Sequence, residues 1–178
     1  MVTAIIPETI SLDDFLAHPA EHMEWVDGQL VETKGMTVKH SEIQANLTSL
    51  WKNYITESQN GGKVYVELPC RTKKQGRRPD VSYLTPELVT QFGNASSLPQ
   101  SPPLIAEIAS PDDAGDELLL KAQEYLDSGC QEVWLVFPEA RMVLLLTANQ
   151  TLGFNPGEMV TTQLLLPGFA VAVDELLG

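Results

Sequence analysis

Between His40 and Ser58 the apolar residues Ile43, Leu47, Leu50 and Tyr54, with Trp51 beside them, recur at three- and four-residue spacing. That is the stripe of one amphipathic helix, which Gly61-Gly62 is expected to stop. The pattern then changes period. "KVYVELPC" alternates, placing Val64, Val66 and Leu68 on one side of a half-buried strand, and a lysine-rich stretch leads through Gly76 into a second strand, "DVSYL". Residues 86–103 hold a short helix and then Gly93, Asn94, Pro99, Pro102 and Pro103, the composition of an irregular connection. "LIAEIAS" is a third strand, residues from Pro111–Asp113 to about Ser128 a second long helix stopped by Gly129, and "EVWLVF" and "RMVLLLTA" are strands either side of Pro138.

Upstream, Ser11 with Asp14 three residues on is a capping arrangement for a short first helix. "EWVDGQLVET" is a hairpin, because Asp27-Gly28 supplies the positive φ angles of a two-residue turn. Downstream, Gly153, Pro156, Gly157, Pro167 and Gly168 separate short strands before a closing helical turn. From residue 40 the order is αβββαβ. This predicts an α/β fold, a mixed β-sheet flanked by helices, with an N-terminal hairpin and C-terminal strands added. At 178 residues, with no repeat or linker, residues 1–178 are expected to form a single domain.

Charge qualifies this picture more than composition does. The chain carries a formal −13, which disfavours a general nucleic-acid binder, yet six of its eleven Lys and Arg residues lie between 63 and 78. Residues 80–178 hold fourteen acids against Lys121 and Arg141. The basic strip is either a solvated hairpin or a phosphate-binding patch. Cys70 and Cys130 sit among apolar neighbours and are expected to be buried free thiols, in keeping with a cytoplasmic protein. No segment has the charge and length of a signal peptide or a membrane span.

One buried acid raises the question of chemistry. In a strand, Ile105, Glu107 and Ala109 share one face and Leu104, Ala106 and Ile108 the other, so Glu107 lies amid apolar groups and needs a partner. Asp80, at the mouth of the preceding strand, could share a cation with it. Lys121 could pair with it directly. On a helical wheel Lys121 falls beside the apolar arc of Leu118, Leu119, Ala122, Tyr125 and Leu126, whereas Glu117, Glu124 and Asp127 lie farther round. A snorkelling or salt-bridged lysine is the structural alternative. Two carboxylates and a lysine suit phosphodiester hydrolysis, since Mg²⁺ takes one or two protein carboxylates and leaves positions for water and phosphate oxygens.

"RRPDV", then "LIAEIAS", then a lysine on the next helix resembles the PD-(D/E)XK nuclease superfamily, and within it the Uma-type putative restriction endonuclease family. "MEWVDGQLVE" is similar to that family's opening hairpin, His40 to its histidine before the first long helix, and "KAQEYLDSGCQEVWLVFP" to its helix-to-strand segment. The resemblance implies a restriction-endonuclease-like fold and a DNA endonuclease. Asp80 and Glu107 would bind Mg²⁺ (or Mn²⁺), with Lys121 as the catalytic lysine. Glu24 and His40 match further family positions near the metal or a phosphate; a hairpin acid in solvent and a helix-start residue are their structural alternatives. Arg77, Arg78, Lys73 and Lys74 would meet DNA phosphates. Two departures stand out: Ala109 occupies the usual lysine place, and Phe137 stands where aspartate commonly precedes the proline. They leave open a different class of function, a nuclease-like fold kept as a nucleic-acid or protein interaction module. A homodimer is expected by analogy with nucleases that cut two strands, with "VLLLTA" and "QLLLPGF" serving as interface or as core. His18 and His22 lack companions at metal-ligand spacing.

Overall fold

The computed structural model describes residues 10–33 and 37–178. Helix α1 (Leu12–Ala17) begins at the foreseen cap, where the Ser11 hydroxyl accepts from the Asp14 amide at 3.1 Å, and it buries Phe15 and Leu16. Strands β1 (Met23–Val26) and β2 (Gln29–Glu32) form the predicted hairpin, with Asp27 and Gly28 at φ 49° and 88°.

Helix α2 (Val38–Ser58) starts two residues earlier than the apolar stripe implies, because the Thr37 side chain accepts from the His40 amide and so sets the first turn. It ends at Gln59, which takes a left-handed φ of 56°, before the two glycines are reached. Its buried line is His40, Ile43, Leu47, Trp51 and Ile55, with Leu50 and Tyr54 flanking.

The next strand, β3 (Lys63–Val66), corrects the expected alternation. Val66, at the end of β3, is 52% exposed, and Glu67 adopts φ 48° and breaks the strand, so that Val64 packs on one core and Leu68 on the other. The lysine-rich stretch, expected as a connection, folds into two short strands, β4 (Cys70–Arg71) and β5 (Gly76–Arg77). There follow β6 (Val81–Leu84), α3 (Pro86–Phe92), β7 (Leu104–Ile108), α4 (Gly115–Leu126), β8 (Glu132–Phe137), β9 (Met142–Thr147), β10 (Thr151–Phe154), β11 (Met159–Thr161), β12 (Ala170–Ala172) and α5 (Val173–Leu177).

The main sheet has the order β10-β9-β8-β7-β6-β3. Only β7 and β8 run parallel within it, joined by the α4 crossover, which makes the sheet mixed as predicted. One face packs on α2 and α5 through Leu47, Trp51, Ala106, Trp134 and Leu176, with Trp51 edge-on to Trp134 at 5.8 Å. The other packs on α4 through Ile105, Leu118, Tyr125, Val133 and Leu135. Strand alternation therefore sends Glu107 toward α4, as the sequence implied. The run "VLLLTA" is mostly core, and within "QLLLPGF" only Leu164, at 58%, is an exposed large apolar side chain. Cys70 and Cys130 are free and buried.

A second sheet, β2-β1-β5-β4, ties the N-terminal hairpin to the basic strip, with Trp25 opposite Gly76. Gly76 is required there: a Cβ would lie 2.6 Å from the Phe15 ring of α1. This sheet carries Glu24 to the end of the main sheet where β6 starts and β7 finishes.

Candidate active site

Asp80 directly precedes β6 and is held from two elements, α2 and β7. Its Oδ2 lies 3.2 Å from His40 Nε2 on α2 and accepts from the Ile108 amide at 2.7 Å, while Gln44 Nε2 donates to its backbone carbonyl at 3.0 Å. His40 is buried, and its Nδ1 has no hydrogen-bond partner among the described residues. Burial pulls the His40 pKa down, but the Asp80 carboxylate outweighs it and the net direction is upward.

Glu107, 5% exposed on β7, sits across the sheet from Asp80's strand. Its Oε1 accepts from the Tyr125 hydroxyl at 2.7 Å and pairs with Lys121 Nζ at 3.0 Å. Burial pushes its pKa up to about 7, against the opposing pull of Lys121 and with help from the charges of Asp80 and Glu24. Asp80 Oδ1 and Glu107 Oε2 have no protein hydrogen bond among the described residues.

Lys121 reaches inward from α4 to bridge two acids, Glu107 and, at 2.9 Å, Glu24 Oε1. Burial opposes its charge, but the two carboxylates prevail and hold its pKa above the ordinary lysine value. Glu24 is 7% exposed, so the alternative of a hairpin acid in solvent does not hold. Besides Lys121 it accepts from Arg77 Nη1 at 3.0 Å and from the Arg78 amide at 3.0 Å. Burial would raise its pKa; Lys121 and Arg77 reverse that and bring it to about 2.

The basic strip divides. Arg77 also makes a two-pronged contact with Glu124, Nε to Oε1 at 3.0 Å and Nη2 to Oε2 at 2.7 Å. Arg78 donates to the carbonyls of Met23, Glu67 and Ala20. Both arginines line the cleft, but these donors are directed to protein acceptors. Lys73 and Lys74 are exposed and outside the cleft lining, where the Lys73 amide bonds Ser128 past the C-terminal end of α4. His18 and His22 are exposed.

The result is a cleft of about 400 Å³ in which Glu24, His40, Asp80, Glu107 and Lys121 come together. Acids also line its mouth, among them Glu32, Glu67 and Glu117. Among the described residues no group of three His, Cys, Asp or Glu side chains is placed to hold a metal. A two-carboxylate site remains, and it suits a cation: two carboxylate oxygens lack protein partners among the described residues, and burial pushes Glu107 toward neutrality, which a bound cation would oppose. Three contributors escaped the sequence reading. Tyr125 falls in the apolar arc of α4, Glu124 farther round it than Lys121, and Gln44 carries no signal of its own; only the i+4 relation of Tyr125 to Lys121 hints that both reach one carboxylate.

A crystal structure described as a putative nuclease belonging to DUF820 from Anabaena variabilis superposes with a TM-score of 0.83, covering 94% of this chain and 97% of that one at 24% identity. At that identity the likeness establishes the fold, a restriction-endonuclease-like mixed sheet flanked by helices. No curated protein matches. None of the described helices is long and apolar enough to cross a membrane. The model of the Uma2 family, described as putative restriction endonuclease, matches residues 11–174, and the chain belongs to that family.

Proposed function

We propose that the chain is a cytoplasmic, metal-dependent DNA endonuclease that hydrolyses phosphodiester bonds, with Asp80 and Glu107 as ligands of Mg²⁺ (or Mn²⁺). The observation that carries this reading is the pair of carboxylate oxygens, one just before β6 and one on the adjacent β7, that lack a hydrogen-bond partner among the described residues, with the Lys121 amine 3.0 Å from one of the carboxylates. A divalent ion bound there supplies Lewis acidity toward the phosphate and lowers the pKa of water.

The protein's own groups have separable roles. His40 and the Ile108 amide fix Asp80 through one oxygen and leave the other for the ion. An ammonium has three N–H donors. Lys121 directs two toward Glu24 and Glu107, and the third is available to a phosphate oxygen or the attacking water. Because two carboxylates hold it charged, Lys121 orients and stabilises rather than accepts the proton. Lys121 thereby stands in for the lysine missing at Ala109. Arg77 and Arg78 lend positive charge to the cleft while bracing Glu24 and the strand ends. Cutting both strands calls for two sites and hence a homodimer, which light scattering would test.

The experiment is cleavage of labelled duplex with and without Mg²⁺ or Mn²⁺. Asp80→Asn and Glu107→Gln should abolish metal-dependent cutting while retaining the wild-type circular dichroism. Failure to cut any DNA across metals and concentrations would refute the proposal. A second reading, a nuclease-like interaction module, draws on the acids at the cleft mouth and the internal partners of both arginines. It requires partner or nucleic-acid binding that survives Lys121→Met, and Lys121-dependent turnover would exclude it.

A further inference from the structure

A second groove, of about 440 Å³, runs along the outer face of α2 beside the edge strand β3. Ser41, Gln44, Ala45, Thr48, Ser49 and Lys52 line it from the helix and Val66 from the strand. From Ser41 to Asn53 the helix rises about 18 Å, room for about five nucleotides at 3.4 Å each.

Two features connect the groove to the cleft. Gln44, which lines the groove, donates to the carbonyl of Asp80, and Val66 of the groove is followed directly by Glu67 of the cleft. The charge pattern gives the second argument. None of the residues that line the groove is acidic and Lys52 among them is exposed, whereas the cleft is lined by Glu32, Glu67, Asp113 and Glu117 besides the acids of the site. Small hydroxyl and amide side chains with one lysine allow close approach of a sugar-phosphate backbone and give it donors.

We infer that the α2 groove, and not the lysine-rich turn at Lys73-Lys74, is the track on which a nucleic-acid strand leaves or enters the Asp80–Glu107 site. The inference rests on the nuclease reading and names the path of its substrate. Lys73 and Lys74 lie beyond the C-terminal end of α4, which packs on the opposite face of the main sheet from α2.

The test uses the full chain and three exposed groove substitutions, Lys52→Glu, Lys52→Ala and Ala45→Glu, with Lys74→Glu as control. Binding of a 5′-labelled single strand and of a duplex is measured in Ca²⁺ by anisotropy against salt concentration. Hydrolysis of bis(p-nitrophenyl) phosphate in Mn²⁺ reports the site without a strand. Each groove variant should weaken binding of at least one DNA form about tenfold, Lys52→Ala should reduce the slope of log K against log salt by about one, and small-diester turnover should stay unchanged. Lys74→Glu should change binding less than about twofold on the same scale. Groove variants that bind like wild type, or wild type that binds neither DNA form, would overturn the inference. So would groove variants that alter only the oligomeric state, which would make this face an interface between copies. Groove-dependent binding with no hydrolysis of either substrate would support the track and instead refute the nuclease reading.

Discussion

Replacing Glu24 with glutamine tests whether the second sheet is clamped onto α4 by one buried carboxylate. Its charge is matched by Lys121 at 2.9 Å, by Arg77 at 3.0 Å and by the Arg78 amide at 3.0 Å. The Glu24 pKa falls from 4.5 to about 2. At roughly 1.4 kcal/mol per pH unit this corresponds to about 3 kcal/mol of stabilisation. Because the folded-state value is depressed, the contribution is complete above pH 4.5, declines as pH falls toward 2, and is gone below that. Urea unfolding of wild type and Glu24→Gln should therefore differ by about 3 kcal/mol at neutral pH, equivalent to roughly 6–12 °C in Tm. The gap should close progressively below pH 4.5 as wild-type Glu24 takes up its proton. A gap under about 1 kcal/mol at neutral pH, or one that stays constant down to acid pH, would refute the clamp.

Metal binding carries its own pH signature: with Glu107 at about 7 in the metal-free protein, the ion must displace a proton below that pH. Calorimetric Mg²⁺ affinity should fall up to about tenfold per pH unit below 7 and level off above it. His40→Ala should raise the metal concentration for half-maximal activity about 10- to 100-fold with a smaller change in kcat at saturation, and His40→Gln should recover part of it, because Asp80 loses one of the two groups on its Oδ2. Lys121→Met should lower kcat by about 10²–10³ while metal affinity, by the same titration, is retained or tightened. In the core, Trp51→Ala should cost about 3–5 kcal/mol by urea unfolding, whereas Trp51→Phe should cost about 1 kcal/mol, since it keeps most of the packing on Trp134 and removes an indole N–H without a partner.

What could be read in advance was whatever local periodicity or a single buried charge dictates. Helix α2, the Asp27-Gly28 hairpin and the strand holding Glu107 follow from repeat spacing, and Glu107 in that strand already demanded a partner. The destination of each side chain across the fold could not be read the same way. Glu24 has no local reason to be buried: it is drawn in because β5 pairs with β1, an alignment set by the packing of Gly76 under Phe15. The arginines were equally opaque, since their partners lie 47 and 53 positions away for Arg77 and at the backbone carbonyls of Ala20, Met23 and Glu67 for Arg78. The same holds for Glu132. It is fully buried without a cation among the described residues, and it is satisfied by the Trp134 indole and by the amides of Gln163 and Leu164, an arrangement with no signature in chain order.

Anomalous scattering from a crystal soaked in Mn²⁺ at a pH above 7, where Glu107 is ionised, tests the central claim most directly. A peak in contact with both the Asp80 and Glu107 carboxylates, with the Lys121 amine still on Glu107, is the expected result. A peak elsewhere, or none at millimolar Mn²⁺, would contradict the assignment of this pair as the metal site.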